Sequence, residues 1–386
     1  NIIEGNALRI DWNEVVPKER LSFIMGNPPF VGYSLQSKEQ KEDILSLYVD
    51  EKGKPYKTAG KIDYVAGWYW KASEMMQSTT IRTALVSTNS ITQGEQVAGI
   101  WKPLYDRFGI HIDFAYRTFR WDSEASIKAH VHCVIIGLST DHHPQERKLF
   151  DVDTVSFVHN INPYLIDADD IFIESRDKPI CDVPSMTTGN RPADGGHLII
   201  EADEYDDFVN KEPNAAPYIK KLIGSAEFIN NKKRWCLWLV DVSPTELRKM
   251  PLVMERVRLC KEDRENAPDP GRRKLAEKPT LFRETKNPET YIAVPAVSSE
   301  RRKYIPLGFL GKDTIATNLV ITISDATLYH FGILTSNVHM AWMRAVCGRL
   351  EMRYRYSKDV VYNNFPWPAP TDEQKAKIEQ TAQAIL

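Results

Sequence analysis

Gly26-Asn27-Pro28-Pro29-Phe30 follows directly on the apolar run Leu21-Ser22-Phe23-Ile24-Met25, an order that reads as a strand running into a rigid, exposed turn. The two prolines fix φ and remove two backbone N–H groups, so the turn presents mostly carbonyl oxygen, with the Asn27 side-chain oxygen beside it. A site made of acceptors takes a donor. The exocyclic amino group of adenine or cytosine is such a donor: the Asn27 amide oxygen and the Pro28 carbonyl can hold its two N–H bonds at once, and Phe30 can stack on the base. Holding both hydrogens draws the nitrogen lone pair out of conjugation with the ring and toward an electrophilic methyl group. No general base is strictly required. An ordinary proline turn after a buried strand would carry the same residues, so the rest of the chain has to decide.

The run resembles the (N/D/S)PP(F/Y/W) motif of the amino-methyltransferases that use S-adenosylmethionine, whose target bases are flipped out of the duplex. Asn first and Phe last is similar to the adenine-N6 class. The resemblance therefore implies catalytic roles for Asn27, Pro28, Pro29 and Phe30, with S-adenosylmethionine as cofactor. In that class an Ile-x-x-Gly-(Asp/Asn)-(Ala/Phe)-Leu segment lies ahead of the catalytic strand at the edge of the cofactor pocket. Ile2-Ile3-Glu4-Gly5-Asn6-Ala7-Leu8 matches it, which implies cofactor contacts for Asn6 and Ala7. The family's glycine-rich strand–turn–helix and its acidic ribose ligand have no counterpart here, since no G-x-G-x-x-G follows an expected strand. The chain is thus expected to begin part-way through a methyltransferase domain, and the absent initiator Met agrees.

With 386 residues, 42% hydrophobic and 26% charged, the composition is that of a soluble globular protein with room for two domains and a small third piece. A net charge of −2 and a pI near 6.6 require any nucleic-acid surface to come from local basic clusters. Cys133, Cys181, Cys236, Cys260 and Cys347 are too far apart for metal pairs or a disulfide framework, and are expected to be buried thiols in a reducing cytoplasm. No apolar run approaches membrane length, and Asn1-Ile2-Ile3-Glu4 has no signal-peptide pattern, so no membrane partner is expected.

Downstream of the turn, Lys38 to Val49 reads as a helix and Glu51 to Lys61 as a loop over the site. Asp63 to Met76 carries apolar residues at helical spacing, with Asp63 a plausible N-cap. Ile81 to Ser87 is a strand ending in Thr88-Asn89-Ser90, and a further helix runs from Gln93 to about Phe108-Gly109. This alternation points to an α/β fold with a parallel sheet, whose ligands gather at the strands' carboxyl ends. Ile110 to Tyr116, Phe119-Arg120-Trp121 and Ala129 to Leu138 fit two strands joined by a loop. The pair resembles the base-facing hairpin of the methyltransferases, which makes Phe119 or Trp121 the candidate for stacking on an extruded adenine. His130 and His132 alternate on one strand face, but without a third ligand they do not make a metal site.

From about residue 150 the alternation stops, prolines punctuate short strands, and a domain boundary is placed near 166. Three basic clusters follow: Lys232-Lys233-Arg234, Arg272-Arg273-Lys274 and Arg301-Arg302-Lys303. In a chain without net positive charge, such groups suit contact with the phosphates of double-stranded DNA. Several ordered motifs now narrow the resemblance. Ser87-Thr88-Asn89-Ser90-Ile91-Thr92-Gln93-Gly94-Glu95-Gln96, Pro192-Ala193-Asp194-Gly195-Gly196, Arg234-Trp235-Cys236-Leu237-Trp238, Ser298-Ser299-Glu300-Arg301-Arg302 and Val361-Tyr362-Asn363-Asn364-Phe365-Pro366-Trp367-Pro368 occur in this order in the MmeI-like, type IIL restriction-modification enzymes.

That resemblance implies a partial Rossmann-like methyltransferase sheet over residues 1–166, an α+β target-recognition domain over 167–369 and the start of a C-terminal helical segment at 370–386. A nuclease domain is expected in the same full-length polypeptide. Near the end, Gly348 to Ser357 alternates charged and apolar residues at period two, which would set Glu351, Arg353 and Arg355 on one face of an extended segment. Glu accepts from cytosine N4 and Arg donates to guanine O6 and N7, so these residues can read base edges. In the family this E-x-R position resembles a specificity determinant. Two rivals stand beside this reading: a DNA-recognition module without catalysis, because the cofactor half is not in the chain, and a methyltransferase acting on protein glutamine or RNA, against which the long recognition region argues.

Overall fold

The computed structural model describes residues 2–122, 130–140 and 146–386, folded as two compact units. The first comprises Asn1–Arg176 with Arg344–Met352, and the second Asp177–Met343 with Arg353–Leu386.

The first unit is built on one six-stranded sheet. Its strands are β1 (Phe23–Gly26), β2 (Arg82–Thr88), β3 (His111–Asp122), β4 (His130–Ser139), β5 (Arg147–Asp151) and β6 (Thr154–Val158), in the order β1-β2-β4-β3-β5-β6. β1 runs parallel to β2 and β3 parallel to β5, but β4 returns antiparallel between β2 and β3. The sheet is therefore mixed, where the strand–helix alternation had pointed to a parallel one. β3 is a single long strand across both expected segments, because a bulge between Tyr116 and Phe119 absorbs the irregularity. Phe23 and Met25 of edge strand β1 are exposed.

Three of this unit's helices share one hydrophobic core with the sheet. α1 (Lys38–Leu47) starts where Ser37 closes a capping box with Gln40. α2 (Ala66–Met76) buries Tyr69, Trp70, Met75 and Met76, the face set by its helical spacing. Its N-cap is Val65 and not Asp63, whose carboxylate is used elsewhere. α3 (Gly94–Phe108) ends at Gly109 with φ 60, the left-handed stop that glycine supplies. Trp70 packs edge-on against Phe108 at 5.0 Å, and Tyr69 against Trp101 at 5.1 Å. Each such buried aromatic contributes about 1.5–3 kcal/mol of hydrophobic stabilisation.

In the second unit the strands are β7 (Met186–Thr188), β8 (Ile199–Ile200), β9 (Ile219–Ile223), β10 (Trp235–Leu237), β11 (Thr290–Pro295), β12 (Val297–Ser298), β13 (Gly308–Gly311), β14 (Thr314–Ala316) and β15 (Val320–Ser324). Eight of these strands form two four-stranded sheets, β14-β9-β10-β8 and β13-β11-β15-β7, and β12 lies outside both. Gly348–Leu350 is β16, in the first unit, and Arg353–Arg355 is β17, antiparallel to β12 in the second. Arg264, on helix α4 (Pro251–Glu265), is wholly buried and donates to five carbonyls, those of Pro192, Ala193, Leu275, Lys278 and Leu281. All five cysteines are free thiols, four of them buried. Among the described residues no helix is long and apolar enough to cross a membrane.

Candidate active site

The register of the first sheet brings several expected residues to one edge. β1, β2, β3 and β5 share a direction, so the residues after Gly26 and Thr88, together with Asp151, lie at carboxyl ends, level with the β3 bulge that follows Tyr116. Asn27 is exposed, Pro28 buried, Pro29 exposed and Phe30 half-buried. The Val31 N–H donates to the Pro29 carbonyl at 3.2 Å. Among the described residues, neither the Asn27 amide nor the Pro28 carbonyl has a hydrogen-bond partner, so both acceptors stand open.

Asp63 braces this turn. Its Oδ1 accepts the Tyr33 N–H at 3.0 Å, and its Oδ2 accepts the Ser90 hydroxyl at 2.5 Å. The Gln96 side-chain oxygen takes the Asp63 N–H at 2.9 Å, and the Tyr64 N–H donates to the Val31 carbonyl at 2.9 Å. The loop behind Asn27 is thus fastened to the end of β2 and to α3. Reading Asp63 as a helix cap missed this, because both partners are distant in sequence.

Asn6 has a different setting from that expected of a free pocket ligand. Its amide nitrogen donates to Asp43 at 2.9 Å, and its oxygen accepts the Leu8 N–H at 2.9 Å. The Ala7 carbonyl accepts the Trp12 indole N–H at 2.8 Å. Asp43 is buried and also receives Arg9 Nε at 2.6 Å and the Tyr64 hydroxyl at 2.9 Å. Burial pushes its carboxyl up, but the bonds from Arg9, Asn6 and Tyr64 outweigh this and hold it below the usual carboxylate range.

On the β3–β4 hairpin, Phe119 is half-buried and Trp121 exposed, with ring centroids 6.2 Å apart. The expected loop around 123–129 lies outside the described residues, as does the side chain of His130. Asn89 Nδ2 reaches Thr118 Oγ1 at 3.5 Å, and Arg117 in the bulge donates to Leu165 O at 3.0 Å and Asp151 at 3.1 Å. A cavity of about 430 Å³ opens beside Asn89, Arg117, Thr118 and Asp151. The sequence held no signal for it. Among the described residues no group of three or more His, Cys, Asp or Glu could hold a metal ion.

The expected DNA-facing residues divide. Glu351 does not share an extended segment with Arg353 and Arg355: it sits in a turn after β16 with φ 59, so the period-two argument fails at that position. Arg353 and Arg355 are exposed on β17, either side of buried Tyr354. β12 pairs with β17 through Val297–Arg355 and Ser298–Tyr354, so the chain past Ser298 runs toward the Arg353 end. The exposed Arg301, Arg302 and Lys303 follow, in a turn where the Arg302 N–H donates to the Ser299 carbonyl at 3.2 Å. Lys232 and Lys233 are exposed, but Arg234 is ion-paired to Glu201 at 3.0 Å and Glu227 at 3.3 Å. Arg272 is paired to Asp263, and Arg273 donates to the Ala267 and Pro268 carbonyls.

Residues 1–151 match the family described as MmeI, DNA-methyltransferase domain, and residues 167–369 the family described as MmeI, target recognition domain. A curated relative from Bacillus subtilis (strain 168), DNA methyltransferase A, is 44% identical over 385 residues, covering 99% of this chain and 43% of the relative. The solved structure of the type IIL restriction-modification enzyme MmeI in complex with DNA is 43% identical. It superposes with a TM-score of 0.92, covering 99% of this chain and 51% of that one. The chain spans about half the length of these relatives.

Proposed function

This chain belongs to the MmeI family of DNA methyltransferases with a target-recognition domain, and on that premise we propose that it carries the base-holding half of a site that methylates the N6 amino group of adenine in a specific duplex sequence. The observation that carries this is the pair of open acceptors, Asn27 amide and Pro28 carbonyl, at the carboxyl end of β1.

The adenine is flipped out of the duplex, at a cost of a few kcal/mol. Asn27 and Pro28 take its two N6 hydrogens, Phe30 stacks on one face of the ring, and Phe119 or Trp121 packs on the extruded base. Holding both hydrogens aims the nitrogen lone pair out of the ring plane, and the proton released after transfer passes to solvent. S-adenosylmethionine, when bound, supplies the methyl group as an electrophile. The residues here fit that group in part. The Asn6 amide and the Ala7 carbonyl are already bonded within the fold, and a role for Asn6 and Ala7 at the edge of the cofactor pocket is proposed from the family resemblance alone. No glycine-rich cofactor loop occurs in these 386 residues, and a nuclease domain in the same polypeptide is proposed from the family resemblance.

Arg353 and Arg355 are proposed to read base edges; for Glu351 the same role, expected from the sequence, has no support from its place in a turn. Arg301, Arg302, Lys303, Lys232 and Lys233 are proposed to hold phosphates. The place of action is the cytoplasm. A second reading, favoured by the missing cofactor loop, is DNA recognition without transfer by these residues alone. The test is to incubate the full-length protein with S-adenosylmethionine and duplex DNA, then digest the DNA to nucleosides for mass spectrometry. N6-methyladenine is expected; N4-methylcytosine, or no methylated base, would overturn the reading.

A further inference from the structure

We propose that a backbone phosphate of duplex DNA seats in the second unit between the guanidinium groups of Arg191 and Arg283, with the Lys286 ammonium at the rim. This rests on the reading that the chain binds DNA, and it places a phosphate contact outside all three basic clusters of the sequence. A cavity of about 230 Å³ is lined by these three cations and a single carboxylate, Glu284.

The frame around it is rigid. At Gly189 a Cβ would lie 2.4 Å from the Thr317 carbonyl oxygen and 2.6 Å from that of Ala316, so only glycine lets the chain pass there. Asn190, 1% exposed, donates to the Lys286 carbonyl at 2.8 Å and accepts the Lys286 N–H at 2.7 Å. The backbones bearing the two arginines are tied directly: Arg283 N–H donates to Arg191 O at 2.9 Å, and Arg191 N–H to Glu284 Oε2 at 2.8 Å.

On this frame the cations are left available. The Arg191 guanidinium has no partner among the described residues, and Arg283 Nε stands 3.6 Å from Glu284, with half its side chain exposed. Lys286 Nζ donates to Thr188 O at 3.0 Å, leaving further donors. Arg234 and Arg272 are paired more closely, Arg234 with two carboxylates and Arg272 with Asp263, whereas Arg283 has only the longer 3.6 Å pair with Glu284. Two forks on directly tied backbones match the oxygens of a phosphodiester, and the gain must exceed the entropy of ordering two exposed side chains.

The test is equilibrium binding of the full-length protein to a labelled duplex across a range of NaCl concentrations, for wild type, R191A/R283A and R191K/R283K, with thermal unfolding as the check on folding. The alanine pair should bind more weakly on every sequence and lower the slope of log K against log salt by about 0.9, the value for one phosphate. The lysine pair should keep the slope and lose part of the affinity, since an ammonium lacks the fork. Orthophosphate should displace the duplex no better than chloride at equal ionic strength. A wild-type slope in a folded alanine pair that still binds DNA overturns this assignment alone, and selective displacement by orthophosphate overturns it in favour of a free-anion site. No duplex binding by wild type would overturn the DNA reading itself.

Discussion

Asp63 Oδ2 accepts the Ser90 hydroxyl at 2.5 Å, while the other oxygen of the same carboxylate holds the Tyr33 N–H at 3.0 Å. One buried side chain thus fastens the loop behind the Asn27 turn to the residues that end β2. Asp63→Ala leaves those donors without their acceptor, at about 1–3 kcal/mol. In the full-length protein it should cut methyl transfer tenfold or more while duplex affinity stays near wild type. A transfer assay paired with a binding titration reads both, and unchanged transfer would detach the brace from the chemistry.

Arg264→Lys should destabilise the second unit by about 3 kcal/mol or more. Five carbonyls converge on the guanidinium, and an ammonium has only three donors, so carbonyls are left unmet in a dry interior. Urea unfolding should show a lower midpoint; a wild-type midpoint would count against the clamp.

Stability should fall in acid for two distinct reasons. Burial pushes the His339 imidazole down to about 3, while the unfolded chain takes up that proton near 6.5. The native state therefore binds fewer protons between those values, and stability falls as pH drops through that window, by about 1.4 kcal/mol per pH unit. His339→Gln cannot titrate and should flatten that slope. Asp43 works in the carboxylate range: its lowered folded pKa contributes stability at neutral pH that is lost as pH falls through the folded value. Denaturant titrations at stepped pH, for wild type and His339→Gln, check the first effect, and parallel slopes would refute it.

Arg353→Ala should relax sequence preference at a single position of the recognised site by about 1–3 kcal/mol, leaving other positions unchanged. Mapping methylated sites by single-molecule sequencing distinguishes this from uniform weakening, which would mark Arg353 as a phosphate contact.

Much of the first unit was legible because its signals are local. The Ser37 capping box, the apolar face of α2 and the Gly109 stop each lie within a few residues of what they control. What stayed hidden depends on partners far along the chain. The insertion of β4 between β2 and β3 follows from long-range pairing, and no short-range period distinguishes it from a parallel crossover. Glu351 fits a period-two pattern by residue type, yet its positive φ puts it in a turn. The functions of Asp63 and Arg264 reside in contacts made by folding, whereas the donor-poor character of the turn after Gly26 was legible because two adjacent prolines remove two N–H groups locally.

We propose that Asn27 acts on the flipped base and not on duplex binding. Methyl transfer from tritiated S-adenosylmethionine to duplex DNA, measured for full-length wild type and Asn27→Ala beside their duplex affinities, tests it most directly. Loss of transfer with specific binding retained is the expected result; transfer at the wild-type rate would contradict the account.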